Sequence, residues 1–177
     1  MKILVVVDMQ NDFLHGALRN EEGIRKIPNV INKINEYKKN DDIIIATKDT
    51  HASNYLETQE GINLPFVHCV KDTYGWEINS DVKEALGDVL VFEKPTFGSV
   101  SLAKYLFDNY KDETDLEIEL IGVCTDICVI SNALLIKAYL PEVKMVVDAS
   151  CCAGVTIDSH NAALMAMRSC QINVIGE

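Results

Sequence analysis

Short apolar runs alternate with helix-period segments from one end of the chain to the other. The runs are Ile3 to Val7, Ile43 to Ala46, Val89 to Phe92, Leu116 to Ile121, Val143 to Val147 and Ile172 to Ile175. Repeated strand-then-helix units build a parallel sheet covered by helices, so the pattern predicts a doubly wound α/β fold with six mainly parallel strands. Between the first two runs, Ile27, Val30, Ile31, Ile34 and Tyr37 recur at helical spacing. Pro28 is expected in the first turn of that helix, where a missing N–H is tolerated. Leu102, Tyr105 and Leu106 carry a similar stripe, and Asp158 to Ser169 supplies the last helix. Ile127 to Tyr139 is apolar on nearly every face, which predicts a helix deeply buried or partly covered by another subunit. Lys48 to Glu77 follows neither period, contains Gly61, Pro65 and Gly75, and is long enough that a loop carrying function is expected. There is no internal repeat, low-complexity stretch or linker, so residues 1–177 read as one domain.

Composition narrows the class. The chain is 48% apolar over 177 residues, enough for one sizeable core. Its formal charge of -11, with the lysines scattered, argues against a nucleic-acid partner, because no basic run exists to neutralise phosphates. No apolar run approaches the roughly 18 residues of a membrane span, and the first strand runs into Asp8 without a cleavage signal. The expectation is a soluble, cytoplasmic protein with no membrane partner. The six cysteines (Cys69, Cys124, Cys128, Cys151, Cys152 and Cys170) lack the spacing of a disulfide framework or a zinc knuckle, so reduced thiols are expected.

Ligands of open parallel sheets bind outside the carboxyl ends of the strands, so chemistry is sought just after each apolar run. Asp8 follows the first, Lys48, Asp49 and His51 the second, Glu93 and Lys94 the third, Gly122 to Cys128 the fourth, and Asp148 the fifth. Cys128 lies on a strand-to-helix turn, where the positive end of a helix favours a thiolate and suits a nucleophile. Cys151, Cys152 and Cys170 read instead as small buried hydrophobes. Asp8 ends a wholly apolar strand, where burial raises a carboxyl pKa, and it could take the thiol proton. A helix cap is the plainer role for Asp8, but Asp12 serves that as well. Lys94, alone a surface lysine, could hold thiolate and carboxylate by charge. Asp49, His51 and His68 offer carboxylate and imidazole ligands suited to zinc, iron or manganese.

With these residues in view, the sequence resembles the isochorismatase-like cysteine hydrolases, and within them the nicotinamidase subgroup. The resemblance runs nearly end to end and is carried by VVVDMQNDF at residues 5 to 13, KDTH at 48 to 51, HCV at 68 to 70, EKPTFGS at 93 to 99 and GVCTDICV at 122 to 129. It implies a catalytic triad of Asp8, Lys94 and Cys128, a cis peptide between Val123 and Cys124, and an oxyanion hole from the backbone amides of Cys124 and Cys128. It also implies a divalent metal, zinc first with iron or manganese as alternatives, held by Asp49, His51 and His68. Tyr55 stands near a position where many relatives have a second histidine, so Glu60 is the expected further ligand, with Glu57 as fallback. For the substrate pocket it points to Phe13 and Phe97, with Leu64 and Phe66 where a tryptophan is usual. The implied activity is hydrolysis of a small amide, nicotinamide first, through a thioester, by a homo-oligomer. The alternatives are another amidase of the superfamily, acting on a carbamoyl amine or ureide, and a catalytically silent binding relative.

Overall fold

The structure, a computed structural model, describes residues 1–177. Its strands are β1 (Lys2–Val7), β2 (Ile43–Asp49), β3 (Leu90–Lys94), β4 (Glu117–Val123), β5 (Lys144–Ala153) and β6 (Asn173–Ile175). They form one sheet in the order β3-β2-β1-β4-β5-β6, and every pairing is parallel rather than mainly so. Parallel neighbours need crossover helices, and helices on both faces explain why β1 is apolar and buried at every position from Ile3 to Val7. Right-handed crossovers stepping outward from β1 to β3 put α2 (Glu21–Lys39) and α4 (Ser80–Leu86) on one face. Those leading from β3 back through β4 to β6 put α5 (Val100–Tyr110), α6 (Ile130–Tyr139) and α7 (Ile157–Ser169) on the other. Consistent with this, α2 packs on α4, and α6 packs on both α5 and α7. None of the helices is long and apolar enough to cross a membrane.

Several expectations shift where polar groups set an element's limits. Helix α2 starts earlier than its apolar stripe, because Asn20 caps it by accepting from Gly23 N at 3.0 Å and Glu21 and Glu22 favour its first turn. Pro28 therefore lies in the helix interior, not its first turn. The stretch from Lys48 to Glu77 is not structureless: it holds a 3-10 turn at Tyr55–Glu57 and the short helix α3 (Gln59–Asn63), capped by Thr58. Strand β5 runs past Val147 through a register break to Ala153, so Asp148 lies within the strand instead of at the carboxyl edge. There its Oδ1 accepts from Ser150 Oγ at 2.6 Å and its Oδ2 lies 2.9 Å from Lys33 Nζ. Lys33 also sits 2.9 Å from Glu119, which accepts from Tyr37 Oη at 2.7 Å, so Asp148 belongs to an ion cluster beneath α2. Cys151 and Cys152 are buried as expected, whereas Cys170, in the turn after α7, is exposed. All six thiols are free.

Candidate active site

The strand order reverses between β1 and β4, which opens a crevice at their carboxyl ends. Gly122 shapes it: its φ is 117°, and a Cβ there would stand 2.1 Å from the Val7 carbonyl oxygen, so a residue without a side chain is required for β4 to run against the end of β1. Asp8 follows immediately, fully buried and with a φ of 48°. Its Oδ1 accepts from Thr47 Oγ1 at 2.6 Å, and its Oδ2 lies 2.7 Å from Lys94 Nζ. Lys94, the last residue of β3, also donates to Asp49 Oδ1 at 3.1 Å, the Thr96 carbonyl at 3.2 Å and Cys128 Sγ at 3.4 Å. Burial pushes the Asp8 carboxyl above its ordinary range, and the Lys94 charge only partly offsets it. Burial works the other way on Lys94, but Asp8, Cys128 and Asp49 outweigh it and keep the amine protonated. Asp12 is no helix cap: it lies within the short helix α1 (Asn11–Leu14), and its Oδ2 accepts from Cys69 N at 2.7 Å.

Cys128 sits in a π-helical turn, Thr125–Val129, that precedes α6, so the expected helix from Ile127 is tighter in its regular part and wider at its start. Burial first, and then the Asp8 charge, push Cys128 well above its ordinary value against the pull of Lys94, so the resting group is a thiol. The Val123–Cys124 peptide is cis. The Cys124 carbonyl accepts from Ile127 N at 3.1 Å and Val129 N at 3.0 Å, passing over Cys128 N, and Cys124 N donates to no backbone carbonyl.

Beside this group lies a second cluster. The ligand atoms of Asp49, His51, Glu60 and His68 are within 4.8 Å of one another. His51 arrives two residues after the end of β2, and the returning chain pairs with it: His51 N donates to the Cys69 carbonyl and Lys71 N to the His51 carbonyl, each at 2.9 Å. That bridge sets His68 beside His51. Glu60 comes from the first turn of α3, with Oε1 3.6 Å from His51 Nε2 and 3.8 Å from His68 Nε2. His51 Nε2 stands 2.9 Å from Asp49 Oδ2, yet it is buried and makes no well-directed hydrogen bond. His68 Nδ1 lies 2.7 Å from the Phe66 carbonyl, which makes Nδ1 the protonated nitrogen and leaves Nε2 a lone pair aimed at the cluster. Two imidazole nitrogens and two carboxylates, one nitrogen an orphaned buried atom, fit a divalent transition metal. Burial alone would raise Asp49, but the neighbouring His51 and His68 side chains and the charge of Lys94 hold it below the carboxylate range. Glu57, the fallback ligand, is exposed.

The other expected residues are spread more widely. Phe13 is buried with its ring centroid 5.6 Å from that of His68, whereas Phe66 and Phe97 are 55% and 47% exposed and Leu64 is half-buried. Lys48, expected among the edge residues, points away from Asp49 as adjacent strand residues must, and its Nζ lies over the Trp76 ring. Residues to which the sequence reading gave no part support the site. Gln10 accepts from Asp49 N at 2.7 Å and donates to the Asp49 and Trp76 carbonyls at 2.8 Å. Tyr55 is fully buried with its ring centroid 4.7 Å from His51 and 4.9 Å from His68, and its hydroxyl donates to the Leu64 carbonyl at 2.9 Å. Tyr55 thus braces the two imidazoles without offering its oxygen to the cluster.

A family profile described as Isochorismatase domain matches residues 2–176. The nicotinamidase of Schizosaccharomyces pombe is 26% identical, with 98% of this chain and 92% of that protein covered. The nicotinamidase/pyrazinamidase of Mycobacterium tuberculosis is 25% identical over 99% of this chain and 98% of its own. Among solved structures, the pyrazinamidase of Pyrococcus horikoshii in complex with zinc superposes with a TM-score of 0.83 at 29% identity, covering 99% of each chain.

Proposed function

As the chain belongs to the isochorismatase family, we propose that it hydrolyses nicotinamide to nicotinate and ammonia through a Cys128 thioester. It is a nicotinamidase-like hydrolase acting on the carbon–nitrogen bond of a small amide. One observation carries the finer reading: the Lys94 ammonium lies within 3.4 Å of Cys128 Sγ and within 3.1 Å of both Asp8 and Asp49. Nucleophile, base and metal-type donors are thereby joined at one point, as a substrate held at both its amide and its ring nitrogen requires.

The resting thiol is protonated, so attack begins when Asp8 takes its proton while Lys94 stabilises the forming thiolate. Sulfur adds to the amide carbon, and the carbonyl oxygen gains negative charge facing the amides of Cys124 and Cys128. One such donor is worth about 2.7 to 4 kcal/mol in the transition state. Asp8 returns the proton to the amine nitrogen, ammonia leaves and the thioester remains. Water then adds with Asp8 as base, the C–S bond breaks and nicotinate departs with the thiol restored. Asp49, His51, His68 and Glu60 would hold a divalent metal, whose Lewis acidity would favour the pyridine nitrogen. The half-exposed rings of Phe66 and Phe97 leave the aromatic wall open, which favours keeping carbamoyl amines and ureides in the substrate panel.

Ammonia release from nicotinamide, with and without chelator, tests this reading. Turnover that needs a stoichiometric metal is expected. Absence of metal together with indifference to added metals would remove the nicotinamidase assignment. For the ligand set, Glu60→Gln is expected to weaken metal affinity by roughly 10- to 100-fold or more, and Glu57→Gln to do little. A titration giving the reverse order would move the ligand to Glu57.

A further inference from the structure

Asn132 is fully buried in α6, one helical turn beyond Cys128, and the reaction just described gives it no part. Its amide is nonetheless spent entirely on the two segments that carry the reacting groups. Nδ2 donates to the Cys128 carbonyl at 2.8 Å and to the Phe97 carbonyl at 3.3 Å, while Oδ1 accepts from Ser99 N at 2.9 Å. Phe97 and Ser99 belong to the loop that leaves Lys94 at the end of β3, and the Thr96 carbonyl of that same loop accepts from Lys94 Nζ at 3.2 Å. A second observation shows the loop pressed onto α6 at this point. A Cβ on Gly98 would stand 3.1 Å from the Ser131 carbonyl oxygen, so the backbone itself is in contact with the helix.

We propose that Asn132 is a positioning residue that fixes the distance between Lys94 and Cys128 by clamping the β3–α5 loop to the nucleophile turn. The claim rests on the assignment of Lys94 and Cys128 as reacting partners. Only an amide fits the role: two donors meet two carbonyls and one acceptor meets an N–H. Aspartate would set a carboxylate against the Phe97 and Cys128 carbonyls. Serine would keep a bond to the carbonyl four residues earlier, as helical serines do, but would release the loop.

The test measures two things on metal-loaded, folded protein. The first is kcat and KM for amide hydrolysis. The second is the rate of Cys128 alkylation by iodoacetamide at fixed pH, read by peptide mass, which needs no substrate. Asn132→Ala is expected to lower kcat by roughly 10- to 100-fold with little change in KM, since displacements near 1 Å cost about that much. Asn132→Asp should do no better. Alkylation in Asn132→Ala should differ from the parent by about tenfold, within the range over which contacting residues couple. The combined Lys94→Ala, Asn132→Ala chain should alkylate like Lys94→Ala alone, because Asn132 acts through Lys94. Should Asn132→Ala not fold, Asn132→Ser takes its place in each comparison. Parent-like kcat and alkylation per folded molecule, or effects of the two substitutions that simply multiply, would overturn the proposal and leave Asn132 a packing residue. If the parent turns over no amide at all, the functional reading fails, and alkylation alone still decides the case of Asn132.

Discussion

Replacing Cys128 with alanine is expected to abolish amide hydrolysis, by a factor on the order of 10⁶, the scale seen when a nucleophile is removed. The fold should survive, because Cys128 is a small buried side chain within the apolar core and alanine keeps most of its contacts. Lys94 would lose one of four partners but retain Asp8, Asp49 and the Thr96 carbonyl, so no charge is stranded. Cys170→Ala supplies the contrast: that thiol is exposed after α7, far in the chain from the crevice, and its removal should leave turnover intact. The measurement is ammonia release per folded molecule, with near-ultraviolet circular dichroism reporting the fold. Hydrolysis by Cys128→Ala near the parent rate would remove Cys128 from the chemistry whatever the family pattern implies.

The contrast between Cys128 and Cys170 also marks what was legible in the sequence. Asp8, Asp49, Lys94 and Cys128 each come at or just after the end of an apolar run, and a parallel sheet delivers such positions to one edge. Asp148 follows an apolar run too, yet it lies inside β5, because Lys33 and Ser150 satisfy it there and the strand continues past it. Hydropathy marks the end of a run, not the end of a strand whose polar residue has a partner. Lys48 and Asp49 are adjacent, and alternation alone decides that one meets Trp76 and the other the ligand cluster. Gln10, Thr47 and Asn132 escaped because each acts by a hydrogen bond to a residue distant in the chain, which no periodicity reports, and Tyr55, read only as standing where a histidine is usual, instead braces the imidazoles by ring contacts. Glu60 was found by family spacing, and its place beside both imidazoles depends on the cap at Thr58 and on Gly61, where a Cβ would stand 2.0 Å from the Tyr55 carbonyl oxygen.

Lys94 is where stability and chemistry meet, and its replacement by methionine is expected to damage both. Its Nζ is the only cation within salt-bridge distance of Asp8, and both side chains are fully buried. Asp49 is better protected, because His51 and His68 also face it. Removing the amine therefore strands Asp8 above all, and breaking one half of a buried pair typically costs about 3 to 5 kcal/mol. Asp8 would escape by taking up a proton, the change that burial already favours, and a protonated Asp8 cannot accept the proton of Cys128. Turnover should be lost together with stability. Asp8→Asn in the same chain replaces the stranded carboxylate with a neutral amide that can still pair with Thr47, so the double substitution should regain most of the stability and none of the activity. Urea denaturation at constant m, with ammonia release measured in parallel, separates the two effects. An unchanged midpoint for Lys94→Met would show that the pair with Asp8 contributes little to folding. A double substitution that stays as unstable as Lys94→Met would shift the loss to Asp49 and the ligand cluster instead.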